Sequence, residues 1–207
     1  PFLDLRLAMD IDADTPVVGF VGRLCPGKGV EMLLRAAAVL RPRWPGFRLF
    51  ILGDGPGVNG YVKGLRRMAA RLGLEENVHF FGYVDNAAAA CAAFDLQVVC
   101  SQAEPFGLVT VEAMAQGLPV VVTRSGGSPE IVRDGVEGFL VAPDDARTLA
   151  RRLDCLLDSP GLRREMGAKG RDRVRRRFTL EHMLDATEAH YMKVLGLSVL
   201  KERRATA

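Results

Sequence analysis

Two carboxylates eight residues apart, in Glu104-Pro-Phe-Gly-Leu-Val-Thr-Val-Glu112, carry the clearest chemical signal in this chain. Pro and Gly punctuate the stretch before an apolar run begins, so Glu104 falls in a loop and Glu112 on the helix that follows. Leu108, Val109, Val111, Ala113, Met114 and Ala115 leave that helix no polar face, which predicts burial on most sides. A buried carboxylate needs a partner, and no cation stands within a helical turn of Glu112. A ligand bearing hydroxyls would satisfy it; the competing reading is a distant Arg or Lys. Helical side chains lean towards the N-terminus, so Glu112 points back at the Glu104 loop. The first-turn amides of Gly107, Leu108 and Val109 lie between the two, at the positive end of the helix dipole. The layout suits an anion flanked by hydroxyls, as in a nucleotide sugar.

A second constellation is Gly22-Arg-Leu-Cys-Pro-Gly-Lys-Gly29, a tight loop between a strand and a helix. Its glycines permit close backbone approach, and Arg23 and Lys28 set a guanidinium fork and a point charge at one strand end. A diphosphate is the natural guest. The GK[ST] ending of a Walker A loop is missing. A third loop, Gly53-Asp-Gly-Pro-Gly57, resembles the dinucleotide fingerprint only in part, because Val58 replaces its last glycine and Pro56 interrupts the turn. Gly53 is better placed to let a sugar or base approach the backbone. Tyr83 and Val84 follow the third strand and can border a planar base, although an aromatic there also serves plain packing. Thr123-Arg-Ser-Gly-Gly-Ser-Pro-Glu130 is a small-residue loop beside the same crevice.

These loops need a scaffold that brings strand ends together. Short β-rich apolar runs at 17–21, 47–52, 78–81, 96–99, 119–122 and 139–141 alternate with helical patterns at 29–40, 60–72, 87–93, 108–116, 128–132 and 146–158. Such alternation makes right-handed βαβ crossovers. The predicted fold is α/β, a Rossmann-like parallel sheet of about six strands with helices on both faces. Ser159-Pro160 opens a late helix that breaks near Thr179. Residues 1–15 read as a linker, 16–178 as the binding domain and 179–207 as a helical extension with a charged, frayed tail.

Composition narrows the class. The 207 residues, 48% hydrophobic and 26% charged, fit one large domain or two small ones, and a net charge of +3 is too slight to argue for nucleic acid. Pro1-Phe2-Leu3 opens the chain without Met, as an excised segment would. Cys25, Cys91, Cys100 and Cys155 lie far apart with no metal-ligand spacing, so no metal is expected, and reduced cytosolic thiols are the default. His79 opens an apolar strand and reads as structural. For Arg171, Arg173, Arg175, Arg176 and Arg177 a solvated helix face is the preferred reading, with a contact to anionic lipid headgroups as the alternative.

The loops with Gly22-Arg23 and Lys28-Gly29, Gly53-Asp-Gly-Pro56, Glu104-Pro-Phe-Gly-Leu with Glu112-Ala-Met-Ala, Gly117-Leu-Pro-Val-Val and Gly126-Gly-Ser-Pro-Glu130 come in one order. From about residue 17 to residue 178 the chain resembles the C-terminal, donor-binding domain of the retaining GT-B glycosyltransferases called group 1 or family 4. The resemblance implies roles. Arg23 and Lys28 would neutralise the departing diphosphate, with Glu104 against the donor sugar. The Gly107, Leu108 and Val109 amides would hold phosphates or sugar, Glu112 the ribose hydroxyls, and the Tyr83–Val84 segment the base. It implies a nucleoside-diphosphate sugar as donor substrate, no cofactor or metal, and a cytoplasmic enzyme, with peripheral contact to the inner membrane face as the alternative raised by the basic run. The family has Pro-Ser after its fourth strand, where this chain has Cys100-Ser101. An N-terminal acceptor domain would be the missing partner, so the chain alone would bind donor and transfer little. Met183, Leu184, Tyr191, Val194 and Leu195 would pack on that domain and, left bare, favour self-association. Two other readings compete: a non-catalytic nucleotide-binding module of the same fold, and a Rossmann oxidoreductase.

Overall fold

The computed structural model describes residues 5–55 and 59–196. Pro56, Gly57 and Val58 of the third loop, the first four residues and the charged tail lie outside the described residues. The apolar runs become β1 (Val17–Val21), β2 (Arg48–Leu52), β3 (Val78–Gly82), β4 (Leu96–Val99), β5 (Val120–Thr123) and β6 (Gly138–Val141). Among the described residues they form one parallel sheet in the order β3-β2-β1-β4-β5-β6. β4 and β5 are buried at every position, and a strand covered on both faces has no polar side to alternate with.

Helices α1 (Leu5–Ala8), α2 (Val30–Leu40), α3 (Asn59–Arg71), α4 (Ala87–Ala90), α5 (Leu108–Ala115), α6 (Ser128–Ile131), α7 (Ala146–Asp158), α8 (Pro160–Arg177) and α9 (Leu180–Val194) flank it. Val18, Phe20, Leu49, Ile51 and Val98 face one core with Leu33 of α2, Leu65 of α3 and Leu153 of α7. On the opposite face Val120, Val122 and Leu140 meet Met114 of α5, Ile131 of α6 and Val174 of α8. Val17, Phe50 and Leu52 meet Leu5, Ala90 and Phe94 there. The chain therefore leaves β1 towards one face and β4 towards the other. His79 stands edge-on to Phe50, with ring centroids 5.7 Å apart, in the structural role its strand position predicts.

Three expectations change. Residues 5–15 are not a free linker: Leu5 is buried beside Val17 and Phe50, and Arg6 donates to Ala93 O at 2.9 Å and to Asp95 Oδ2 at 2.8 Å. The segment 87–93 is shorter as α-helix than its alanines predict, closing in a 3-10 turn at Cys91–Ala93. Only part of the basic run of α8 is the solvated face expected: Arg175, Arg176 and Arg177 are exposed, whereas Arg171 and Arg173 also reach other helices. Arg171 donates to Gln116 O at the end of α5, and Arg173 donates to Ile131 O at 2.7 Å and Glu130 O at 2.8 Å at the end of α6. Arg163, earlier in α8, serves Leu156 O and Leu157 O at the end of α7. Each guanidinium meets carbonyls that lack an intrahelical partner, at the negative end of a helix dipole.

Close contact between α8 and the end of α5 depends on one residue without a side chain. A Cβ on Gly167 would fall 1.9 Å from Gly117 O, so the helix would have to move. Gly167→Ala is expected to lower the urea-unfolding free energy by about 2 kcal/mol. Gly161→Ala, whose Cβ would meet only Ser159 Oγ at 4.0 Å, should be neutral or stabilising in the same titration.

Candidate active site

The strand order reverses between β1 and β4, and their following helices pack on opposite faces. In open α/β sheets the crevice formed at such a reversal is where ligands bind. Contacts to the backbone of the β1 loop tie its two walls together. Gln102 N donates to Gly27 O at 2.9 Å and Cys100 Sγ to Lys28 O at 3.3 Å. The side chains meet too: Lys28 Nζ lies 2.7 Å from Glu104 Oε2, both groups partly buried. Residues from loops seventy-six positions apart thus form one ion pair across the crevice.

The Glu104 loop is held from the β5 side. Gly127 N donates to Glu104 O at 2.9 Å. Gly126, with φ +50, would place a Cβ 2.0 Å from that same oxygen, so the two loops can touch only at a glycine. Beyond it α5 starts from Gly107 with no side-chain cap. Among the described residues the amides of Gly107, Leu108 and Val109 find no partner. Free donors and a dipole's positive end therefore stand beside Glu104, a layout suited to an anion.

Glu112 overturns the expectation of burial. Thr110, Val111, Ala113 and Met114 are buried, whereas Leu108, Glu112 and Ala115 form an open stripe at helical spacing. An exposed carboxylate is hydrated and has no need of a protein partner, and Glu112 makes no ion pair among the described residues. It lies near Cys91 at the end of α4, whose thiol is pushed up to about 12 by burial first and by this carboxylate second.

A cleft of about 310 Å³ opens on the other side of the β1 loop, lined by Val21, Gly22, Arg23, Leu52, Gly53, Asp54, Tyr83, Val84 and Ala87. It gathers Gly22, Arg23, Gly53, Tyr83 and Val84, the remaining residues singled out from sequence. Arg23 is exposed and unpaired among the described residues, and Tyr83 is 76% exposed. The β1 loop thus contributes Arg23 to this cleft and Lys28 to the Glu104 cluster. A larger, shallower cavity of about 550 Å³ lies at the amino ends of β1 and β2, beside Thr15, Arg43 and Trp44. Two of its polar residues are engaged with α7: Arg43 pairs with Asp154 and Asp158, and Trp44 Nε1 donates to Asp154 at 2.8 Å.

Sequence reasoning named Cys100-Ser101 and the Thr123–Glu130 loop but did not foresee how they meet behind Glu104. Ser101 Oγ donates to Glu104 Oε2 at 2.9 Å, and Thr123 Oγ1 and Ser125 Oγ both donate to Ser101 O. A hydroxyl three residues before a loop carboxylate is the one local signal that points to the first contact. The contacts to Thr123 and Ser125 depend on strand pairing. Among the described residues no group of three or more His, Cys, Asp or Glu side chains is placed to hold a metal ion.

This chain belongs to the group 1 glycosyltransferases, whose family model matches residues 5–173. It corresponds to the C-terminal domain of a GT-B fold, which sets aside the oxidoreductase reading. It is 36% identical over 191 residues to the lipopolysaccharide core biosynthesis glycosyltransferase LpsE of Rhizobium meliloti (strain 1021), covering 92% of this chain and 53% of LpsE. The chain thus spans about half the length of that relative. Among solved structures, Anabaena Alr3699/HepE in complex with UDP-glucose matches with a TM-score of 0.84 at 33% identity, over 92% of this chain and 51% of that one. The C-terminal domain of the group 1 family protein LpcC from Francisella tularensis matches with a TM-score of 0.74 at 30% identity, over 80% of this chain and 87% of that domain.

Burial pushes the Cys100 thiol up to about 12, so at neutral pH it is neutral and shielded. Alkylation of the native chain at pH 8 is expected to label exposed Cys155 and to spare Cys91 and Cys100 until denaturant is added, as peptide mass mapping would read out.

Proposed function

We propose that this domain binds the nucleoside-diphosphate sugar of a retaining glycosyltransferase, with the donor lying across the β1/β4 crevice. The observation that carries the reading is the Lys28–Glu104 contact beside the uncapped start of α5. A cation, a carboxylate and free amides converge there, and a phosphorylated sugar presents matching groups in that order. Anabaena HepE, solved with UDP-glucose, favours a uridine nucleotide among the candidates.

In this reading the diphosphate takes Lys28, Arg23 and the amides of Gly107, Leu108 and Val109. The base enters the cleft beside Tyr83 and Val84, and Glu112 receives the ribose hydroxyls. Glu104 faces the hydroxyls of the donor sugar. As the anomeric C–O bond breaks, its electron pair goes to the diphosphate, where Lys28 and Arg23 balance the growing charge without a divalent metal. An acceptor hydroxyl attacks from the face the diphosphate leaves and gives its proton to a phosphate oxygen, so the configuration is retained. The eight-residue spacing of Glu104 and Glu112 is not that of a glycosidase pair, because Glu112 faces ribose rather than the anomeric carbon. Leu180, Met183, Leu184, Tyr191, Val194 and Leu195 on and beside α9 are all exposed, a face suited to an N-terminal domain that would supply the acceptor site. Binding donor, with little transfer by this chain alone, follows from that division.

Calorimetry with UDP, GDP, ADP and NAD tests the reading; binding of NAD alone would end it. Lys28→Ala and Arg23→Ala are each expected to weaken the preferred nucleoside diphosphate roughly ten- to a hundredfold, and the monophosphate much less. Equal losses on both ligands would remove the diphosphate from this loop. Glu112→Gln should weaken a ribonucleotide severalfold while leaving its 2′,3′-dideoxy analogue nearly untouched; indifference to the hydroxyls would take Glu112 off the ribose.

A further inference from the structure

Glu104 is held by three contacts of different stiffness. Its carbonyl accepts from Gly127 N at 2.9 Å, which fixes the backbone to the β5 loop. Its Oε2 accepts from Ser101 Oγ at 2.9 Å and from Lys28 Nζ at 2.7 Å. Ser101 is itself 1% exposed and immobilised, since its carbonyl accepts hydroxyl donors from Thr123, the last residue of β5, and from Ser125 at 3.0 Å. Thr123 is buried to the same degree. The hydroxyl that meets the carboxylate is thus anchored to the ends of two central strands. Lys28 differs: its ammonium rides on four rotatable carbons and is about a quarter exposed.

A diphosphate in the crevice competes with Glu104 for Lys28. A glutamate that loses its cation regains rotamer freedom and is repelled by the arriving phosphates. It would swing away at the moment a sugar needs it. We infer that Ser101 is a positioning residue: it keeps the Glu104 carboxylate aimed at the donor sugar after Lys28 has turned to the diphosphate. The inference rests on the nucleotide-sugar reading of the site and adds how its two halves are kept independent. Lys28 is the exchangeable partner of Glu104, and Ser101 the permanent one. Ser101 therefore governs how much better the site holds a sugar nucleotide than the bare diphosphate.

Calorimetry on the 207-residue chain with UDP-glucose, UDP-N-acetylglucosamine and GDP-mannose, each beside its own diphosphate, tests this. The unsubstituted chain should bind one sugar nucleotide more tightly than the corresponding diphosphate. Ser101→Ala should cut that advantage roughly tenfold, the loss falling on the sugar nucleotide and not on the diphosphate. Ser101→Thr, which keeps the hydroxyl, should restore most of it. Should the alanine variant melt at the assay temperature, Ser101→Cys, near-isosteric with a weaker donor, carries the same comparison. Full retention of the preference in both hydroxyl-free variants overturns the inference, as does an equal loss on both ligands, which marks a merely structural hydroxyl. An unsubstituted chain with no preference for any sugar nucleotide also overturns it, while the diphosphate reading stands. Failure to bind any nucleotide removes that reading and this inference together.

Discussion

Everything the site does depends on the reversal of strand order between β1 and β4. Because α2 and α5 pack on opposite faces of the sheet, the loops leading into them part company at the strand ends and leave a crevice. The Lys28–Glu104 pair spans that crevice. In a sheet whose successive strands lay side by side throughout, the same two residues would sit on loops that run in parallel, and no gap would stand between them for a ligand to enter. The partial burial of both groups sharpens the effect, because neither is fully screened by water.

The surroundings of the crevice are stiff for reasons distributed over the fold. α8 lies across three other helices and hands an arginine to the carbonyl end of each: Arg163 to α7, Arg171 to α5 and Arg173 to α6. The contacts of Arg171 and Arg173 spend cations that otherwise look like part of a solvated basic stripe, and the helices they cap, α5 and α6, border the Glu104 loop. Stiffness around Glu104 is thus supplied partly from a helix that touches no proposed ligand group. α9 is the exception, with no buried residue along its length.

Some of the site was plain in the residue order. Gly22-Arg23, Lys28, Glu104 and the α5 amides were legible because each loop carries its signal locally, in glycines, charges and a helix start. The strands were equally legible, their continuous apolar runs having one reading in a covered parallel sheet. The exposure of Glu112 was not legible, because an all-apolar helix says nothing about which of its sides meets protein and which meets solvent. Residues 5–15 were misjudged for the mirror reason: Leu5 and Arg6 acquire their role from Phe50 and Asp95, far along the chain.

The sequence by itself determined the six strands, most of the helices, their order and the chemical kinds of group at each strand end, since these follow from periodicity and residue type over a few neighbouring positions. Tertiary structure alone decided that Lys28 reaches Glu104, that Ser101 is locked by Thr123 and Ser125, and that Glu112 stays open to solvent. Those outcomes turn on contacts between segments tens of residues apart, fixed by strand pairing and by which face each helix takes, and no local pattern of residues encodes them.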